Sequence, residues 1–223
     1  MRSRKASRAS RTASPEATTS SRTGSSLRRR RAVVIATALA GAVVLGLSLR
    51  TEPGSDWFYP ATLLLAAVWV AGARLSGPVP WGRPSLLPVG VGLGLAGVFA
   101  LGALVVREID PLADRVSDVL DLADGGALPL LVLVTAVNGV AEELFFRGAV
   151  YDAVPRHPVA WAALANAAAV AVSGNPMLAF AAFVLAVVVG VERRLTGGIT
   201  APVLTHVTWS VTMLLVLPPL FGA

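Results

Sequence analysis

Glu142, Glu143 and Arg147 stand at the end of a long apolar run, within Asn138-Gly-Val-Ala-Glu-Glu-Leu-Phe-Phe-Arg-Gly148. The preceding residues, Ala127 to Val140, have the composition of a lipid-buried helix. Ionisable side chains at membrane depth cost roughly 2.5–3.5 kcal/mol each on insertion scales, so they point to function. On a helix Glu143 and Arg147 are four apart, in the order that favours an ion pair. Glu142 projects about 100° away from Glu143. The spacing therefore predicts one fixed ion, Glu143, and one proton acceptor, Glu142, which faces the bundle interior with Asn138. The plainer alternative is a solvated charge cluster at a helix end.

The second candidate lies in the last apolar segment, in Thr205-His206-Val-Thr-Trp-Ser210. The fourth span meets its carboxylates near its inner end, and the last span meets His206 soon after it starts. At ~1.5 Å per residue these groups fall at similar depth. A Glu and a His brought together there can hold a water, or a metal with its water. A packed, hydrogen-bonded histidine is the plainer reading. Asn166, midway along the fifth segment, either bonds a neighbouring helix or lines the cavity. Ser210, with Thr205, Thr208 and Thr212, is a candidate for interhelical hydrogen bonding. His157, between Arg156 and Pro158, reads as solvent-facing.

These residues need a scaffold, and composition names its class. Of 223 residues 55% are hydrophobic and 14% charged, where a soluble domain carries roughly 25% charged. An all-α, polytopic transmembrane helical bundle is expected, with about seven spans. They are near residues 32–49, 60–73, 86–106, 127–146, 158–172, 176–191 and 199–217. No cysteine is present, so thiolate metal sites and disulfides are excluded. The net charge of +6 is local: residues 1–31 hold ten Lys/Arg and one Glu, and the rest holds nine Lys/Arg and twelve Asp/Glu.

Four regions follow. Residues 1–31 read as a disordered basic arm, cytoplasmic and touching anionic lipid through Arg28–Arg31. Residues 32–106 hold three spans. Residues 107–126 form an amphipathic connector on the outer face. Residues 127–218 hold four spans and the candidate site. Basic residues dominate the inner connectors, which sets the amino terminus inside. Nothing resembles a nucleic-acid-binding motif.

Glu142-Glu143-Leu-Phe-Phe-Arg147, in its longer Asn-Gly-Val-Ala context, resembles the first motif of the CPBP intramembrane proteases. That family includes the type II CAAX prenyl endopeptidases and the Abi proteins. The stretch from Thr196-Gly197-Gly198-Ile199 through Pro202 to His206 resembles its third motif. The likeness covers about Pro129 to Pro218. It implies an integral membrane endopeptidase of the bacterial cell membrane acting on a membrane-anchored protein or peptide. Glu142 would be the base, Glu143 and Arg147 a structural pair, and His206 an oxyanion donor or metal ligand. The divalent metal, zinc, would sit between Glu142 and His206. Two positions depart from the pattern. No histidine lies between His157 and His206, where the second motif has one, and Ser210 replaces the usual Asn or Asp. A non-catalytic scaffold built on the same fold, or a small transporter using the Glu/His cluster, are the alternative functions.

Overall fold

The computed structural model describes residues 15–50, 52, 55, 57–123 and 126–222, with the backbone alone at 15–26 and 123. Helices account for the architecture: α1 (Pro15–Ser48), α2 (Phe58–Ser76), α3 (Leu87–Val106), α4 (Asp110–Leu120), α5 (Leu128–Ala153), α6 (Pro158–Ala171), α7 (Pro176–Thr196) and α8 (Thr200–Phe221). Among the described residues there is no strand. The protein is a polytopic helical bundle, as composition implies. In space α1 lies along α2, α3 along α8 and α6 along α7, and α5 runs between α2 and α8.

Among the described residues six helices, not seven, are long and apolar enough to cross a membrane. The exception is α6, whose 14 residues reach only about 21 Å against a hydrocarbon core of ~30 Å. Its far end is nevertheless tied to the surface helix. Asn175, which caps α7 by accepting from the Met177 and Leu178 amides at 3.0 and 3.1 Å, donates through Nδ2 to the Arg115 carbonyl of α4 at 2.6 Å. The sequence bounds this apolar segment at about residue 172, and the helix ends there; its length alone sets it apart from the long helices.

The start of the chain also differs from expectation. Helix α1 begins at Pro15, inside the stretch read as disordered; residues 1–14, the start of that stretch, lie outside the described residues. Arg30 donates from Nε to the Ser76 carbonyl (3.0 Å) and pairs with Asp152 (3.6 Å), and Arg31 donates to the Ala153 carbonyl (3.2 Å). Those carbonyls end α2 and α5, where backbone acceptors lack intrahelical donors and partial negative charge collects. Composition missed this because polar anchoring needs no buried apolar surface.

The core gathers around the middle of α5. Trp69 of α2, buried, stacks on Phe145 at 4.8 Å and leans on Phe146 at 5.1 Å. It fits because residue 41 is glycine: a Cβ there would stand 2.0 Å from the indole. From Leu144 to Val150 α5 widens to a π-helix, in which every residue from Phe145 to Val150 is buried. An α-helix would turn part of that stretch outward. The wider turn meets neighbours on all sides, α1, α2, α6 and α7 among them.

The connector between α2 and α3 fixes the start of α8. The Ile199 and Thr200 amides donate to the Pro80 and Trp81 carbonyls at 2.9 and 2.8 Å, and the Thr200 hydroxyl also donates to Trp81. Two of the orphan donors at the start of α8 are thus satisfied, and Pro202 has none to satisfy. The approach is backbone to backbone: a Cβ on Gly198 would lie 2.2 Å from the Gly82 nitrogen. Gly198→Ala is therefore expected to destabilise the fold by at least ~1–3 kcal/mol, the usual cost of overpacking. Thermal unfolding of the purified protein measures it, and an unchanged midpoint would refute this account of the connector.

Candidate active site

Glu143 is the hub. Fully buried, it takes Arg147 Nη1 at 3.1 Å and His206 Nδ1 at 2.7 Å on the same oxygen, Oε1. The Glu143–Arg147 pair forms as its spacing predicts, even though the chain between the two is π-helical. Because the carboxylate only accepts, His206 Nδ1 carries the hydrogen and Nε2 is left for the site. Sequence reading brought His206 toward Glu142; the direct bond goes to Glu143, because α8 crosses α5 over Gly139. A Cβ at Gly139 would stand 3.3 Å from Val207 and 3.5 Å from the His206 ring.

Glu142 is half-buried beside this hub. It lies within electrostatic reach of His206, Glu143 and Arg147 and hydrogen-bonds Asn166 of α6. Asn166 is 3% exposed, so its amide is committed to the interior. The open choice at Asn166 is thereby closed: the fifth segment reaches the site through this residue. Asn138 does not join Glu142 in the way expected. Its Nδ2 donates back to the Val134 carbonyl at 3.0 Å, and its Oδ1 is buried without a partner. A helix-interior Asn has that carbonyl always within reach, one turn back. Ser210 is half-buried, one turn beyond His206, and His157 is exposed.

Three further residues hold the geometry: Thr205 makes the interhelical bonds expected of it, while Glu192 and Arg193 carry no signal in the sequence, since their partners are remote. Thr205, fully buried, lies 2.9 Å from the Pro88 carbonyl and 2.8 Å from Glu192, tying α8 to α3 and α7. Glu192, near the end of α7, sits within electrostatic reach of Glu143. Arg193 donates from Nε to the Arg147 carbonyl (2.9 Å) and from Nη2 to Asp152 (3.1 Å), with its guanidinium 4.8 Å from the Tyr151 ring. A π-helix bonds five residues back and strands carbonyls where it joins α-helix, and Arg193 serves one of them.

The zinc implied by resemblance was tested against these donors. Catalytic zinc takes three protein ligands and a water. Among the described residues no three His, Cys, Asp or Glu side chains converge as a metal site. His206 Nδ1 and Glu143 Oε1 are engaged with each other, leaving Glu142 and His206 Nε2 as the available pair. The donor set does not fit a catalytic zinc. It fits water better. Orphaned acceptors, Glu143 Oε2 and Asn138 Oδ1, are buried near Glu142, and water can donate to such atoms.

Fold and site together define an integral membrane protein with a buried carboxylate–histidine centre. Residues 124–212 match the family described as type II CAAX prenyl endopeptidase Rce1-like. That stretch carries Glu142, Asn166 and His206, and it is similar to the protease family that the motifs indicate. No curated protein and no solved structure matches the chain.

Proposed function

We propose that the protein is an intramembrane endopeptidase that hydrolyses a peptide bond of a membrane-associated substrate near the bilayer face bearing Arg30, Asp152 and Arg193, the cytoplasmic face by connector charge. One observation carries the reading. A half-buried carboxylate, Glu142, hydrogen-bonds Asn166 and lies beside a histidine whose ring is fixed by Glu143. Glu142 removes a proton from water as its oxygen attacks the scissile carbonyl carbon. His206, protonated on both nitrogens, donates from Nε2 to the developing oxyanion. In that state Glu142, Glu143, Arg147 and His206 sum to zero charge, which a buried cluster requires. Glu142 then passes its proton to the amide nitrogen as the C–N bond breaks. The Arg147–Glu143 pair touches no substrate; it orients the imidazole.

Asn166 stands in the segment where the resemblance implies a histidine. An amide can orient the water and Glu142 but cannot take a proton, so proton transfer falls to Glu142 alone. The same substitution favours a second reading, a non-catalytic membrane relative that binds without cleaving. Cleavage of a membrane-anchored reporter by the purified, reconstituted protein decides between them. The wild type should cleave; His206→Ala should lose about 10²–10³-fold, as for one oxyanion donor. Asn166→Ala should lose about tenfold or more, the worth of a hydrogen bond to a charged group. A reporter left intact by well-folded wild type would end the protease reading and leave the binding one. Transport across proteoliposomes is the corresponding assay for a transporter.

A further inference from the structure

A second concavity lies away from the site, in the valley between α6 and α7. Its volume is about 570 Å³, inside the roughly 300–1,000 Å³ range of ligand clefts. Leu164, Phe183 and Val187 line its walls, and Leu164 and Phe183 stay 50% and 38% exposed on the outside of the bundle. Its mouth is formed by Tyr151, His157 and Arg194. Arg194 is exposed and makes no ion pair among the described residues, unlike Arg193 beside it. No acid lines the cleft, and Asp152, next to Tyr151 in the chain, is held by Arg30 and Arg193.

We infer that this cleft binds one anionic phospholipid of the surrounding membrane, its phosphate at Arg194 and His157 and an acyl chain along Leu164, Phe183 and Val187. The occupant follows from the surroundings of the valley. Its walls are apolar and belong to membrane-facing helix surfaces, which excludes a soluble anion as the filling. Its basic mouth lies at the polar end of the bundle, level with Asp152 and Arg193, where headgroups sit and where lysine and arginine attract anionic lipid. The floor is α6, which is shorter than the hydrocarbon core. A short helix leaves a ledge that lipid must thin around or fill. A partner helix would need a longer groove than 14 residues of α6 provide.

The inference stands apart from the protease reading, since no residue of the cleft touches Glu142 or His206. The test uses full-length protein reconstituted in vesicles of equal parts phosphatidylglycerol and phosphatidylcholine, then released for native mass spectrometry. Phosphatidylglycerol should remain bound in preference to phosphatidylcholine. Arg194→Gln should lower its retention about fivefold, as expected for one basic contact at the membrane surface. Leu164→Trp, at an exposed position that bulk does not unfold, should lower it by blocking the acyl path. His157→Asn should lower it too, while keeping the left-handed backbone (φ 53°) of that residue, which asparagine accepts. Arg28→Gln with Arg29→Gln should leave it unchanged. Equal retention of both lipids would overturn the inference. So would retention insensitive to both Arg194→Gln and Leu164→Trp, or loss confined to the Arg28/Arg29 variant, which would move the lipid to the amino-terminal arm.

Discussion

Glu142→Gln is expected to abolish cleavage of the membrane-anchored reporter, lowering the rate about 10²–10⁴-fold, the contribution of a positioned general base. The change is nearly isosteric. The glutamine carbonyl can still accept from Asn166, so the half-buried position keeps its hydrogen bond and its packing. The charge and the proton-accepting oxygen are lost, and nothing beside them substitutes. His206 is turned toward Glu143 through Nδ1, and Asn166 has no basic atom. The loss should fall on kcat with KM little changed, because Glu142 acts on the water rather than on substrate binding. Rates within about threefold of wild type would remove Glu142 from the base role.

Arg147→Met is expected to be the most destabilising single change at the site. Both partners of the ion pair are buried, Glu143 at 0% and Arg147 at 1% exposure. Removing the cation strands a carboxylate whose second oxygen already lacks a partner. Breaking a buried pair in this way costs about 3–5 kcal/mol. The effect separates into charge and function when the second charge is removed as well. Arg147→Met combined with Glu143→Gln should recover most of the stability, because no unpaired charge remains. It should not recover cleavage, because His206 has lost the carboxylate that holds its ring. Thermal unfolding followed by helicity, alongside the reporter assay, measures both. A double variant no more stable than Arg147→Met would show that the pair matters through packing rather than charge.

How much of this was legible in the residues depends on distance along the chain. Glu143 and Arg147 are neighbours on one helix, and their spacing alone predicted the pair. The six long spans followed from hydropathy, since lipid permits little except helix. His206 was placed at the right depth by counting residues, but not against the right carboxylate. That choice rests on Gly139 and on the crossing of α5 with α8, and periodicity says nothing of crossings. Asn166 could be named but not assigned, because an amide in an apolar helix has no unique partner. Thr205 is legible as an interhelical bonding residue, though not its partners. Glu192 and Arg193 carry charges at the end of an apolar helix, a pattern that orientation in the membrane explains fully without any contact. Arg30 and Arg31 read as part of a disordered, lipid-touching arm because composition weighs burial, not donors matched to helix ends.

The hook made by the α2–α3 connector bears on where this protein can be cut. The stretch that matches the protease family begins at residue 124, yet α8 within it is fastened to Pro80, Trp81 and Pro88, all upstream. Asp152, likewise inside, is fastened to Arg30. The matched stretch and the unit of folding therefore differ. A truncation drawn at the edge of the match would discard the clamps that set the depth of His206.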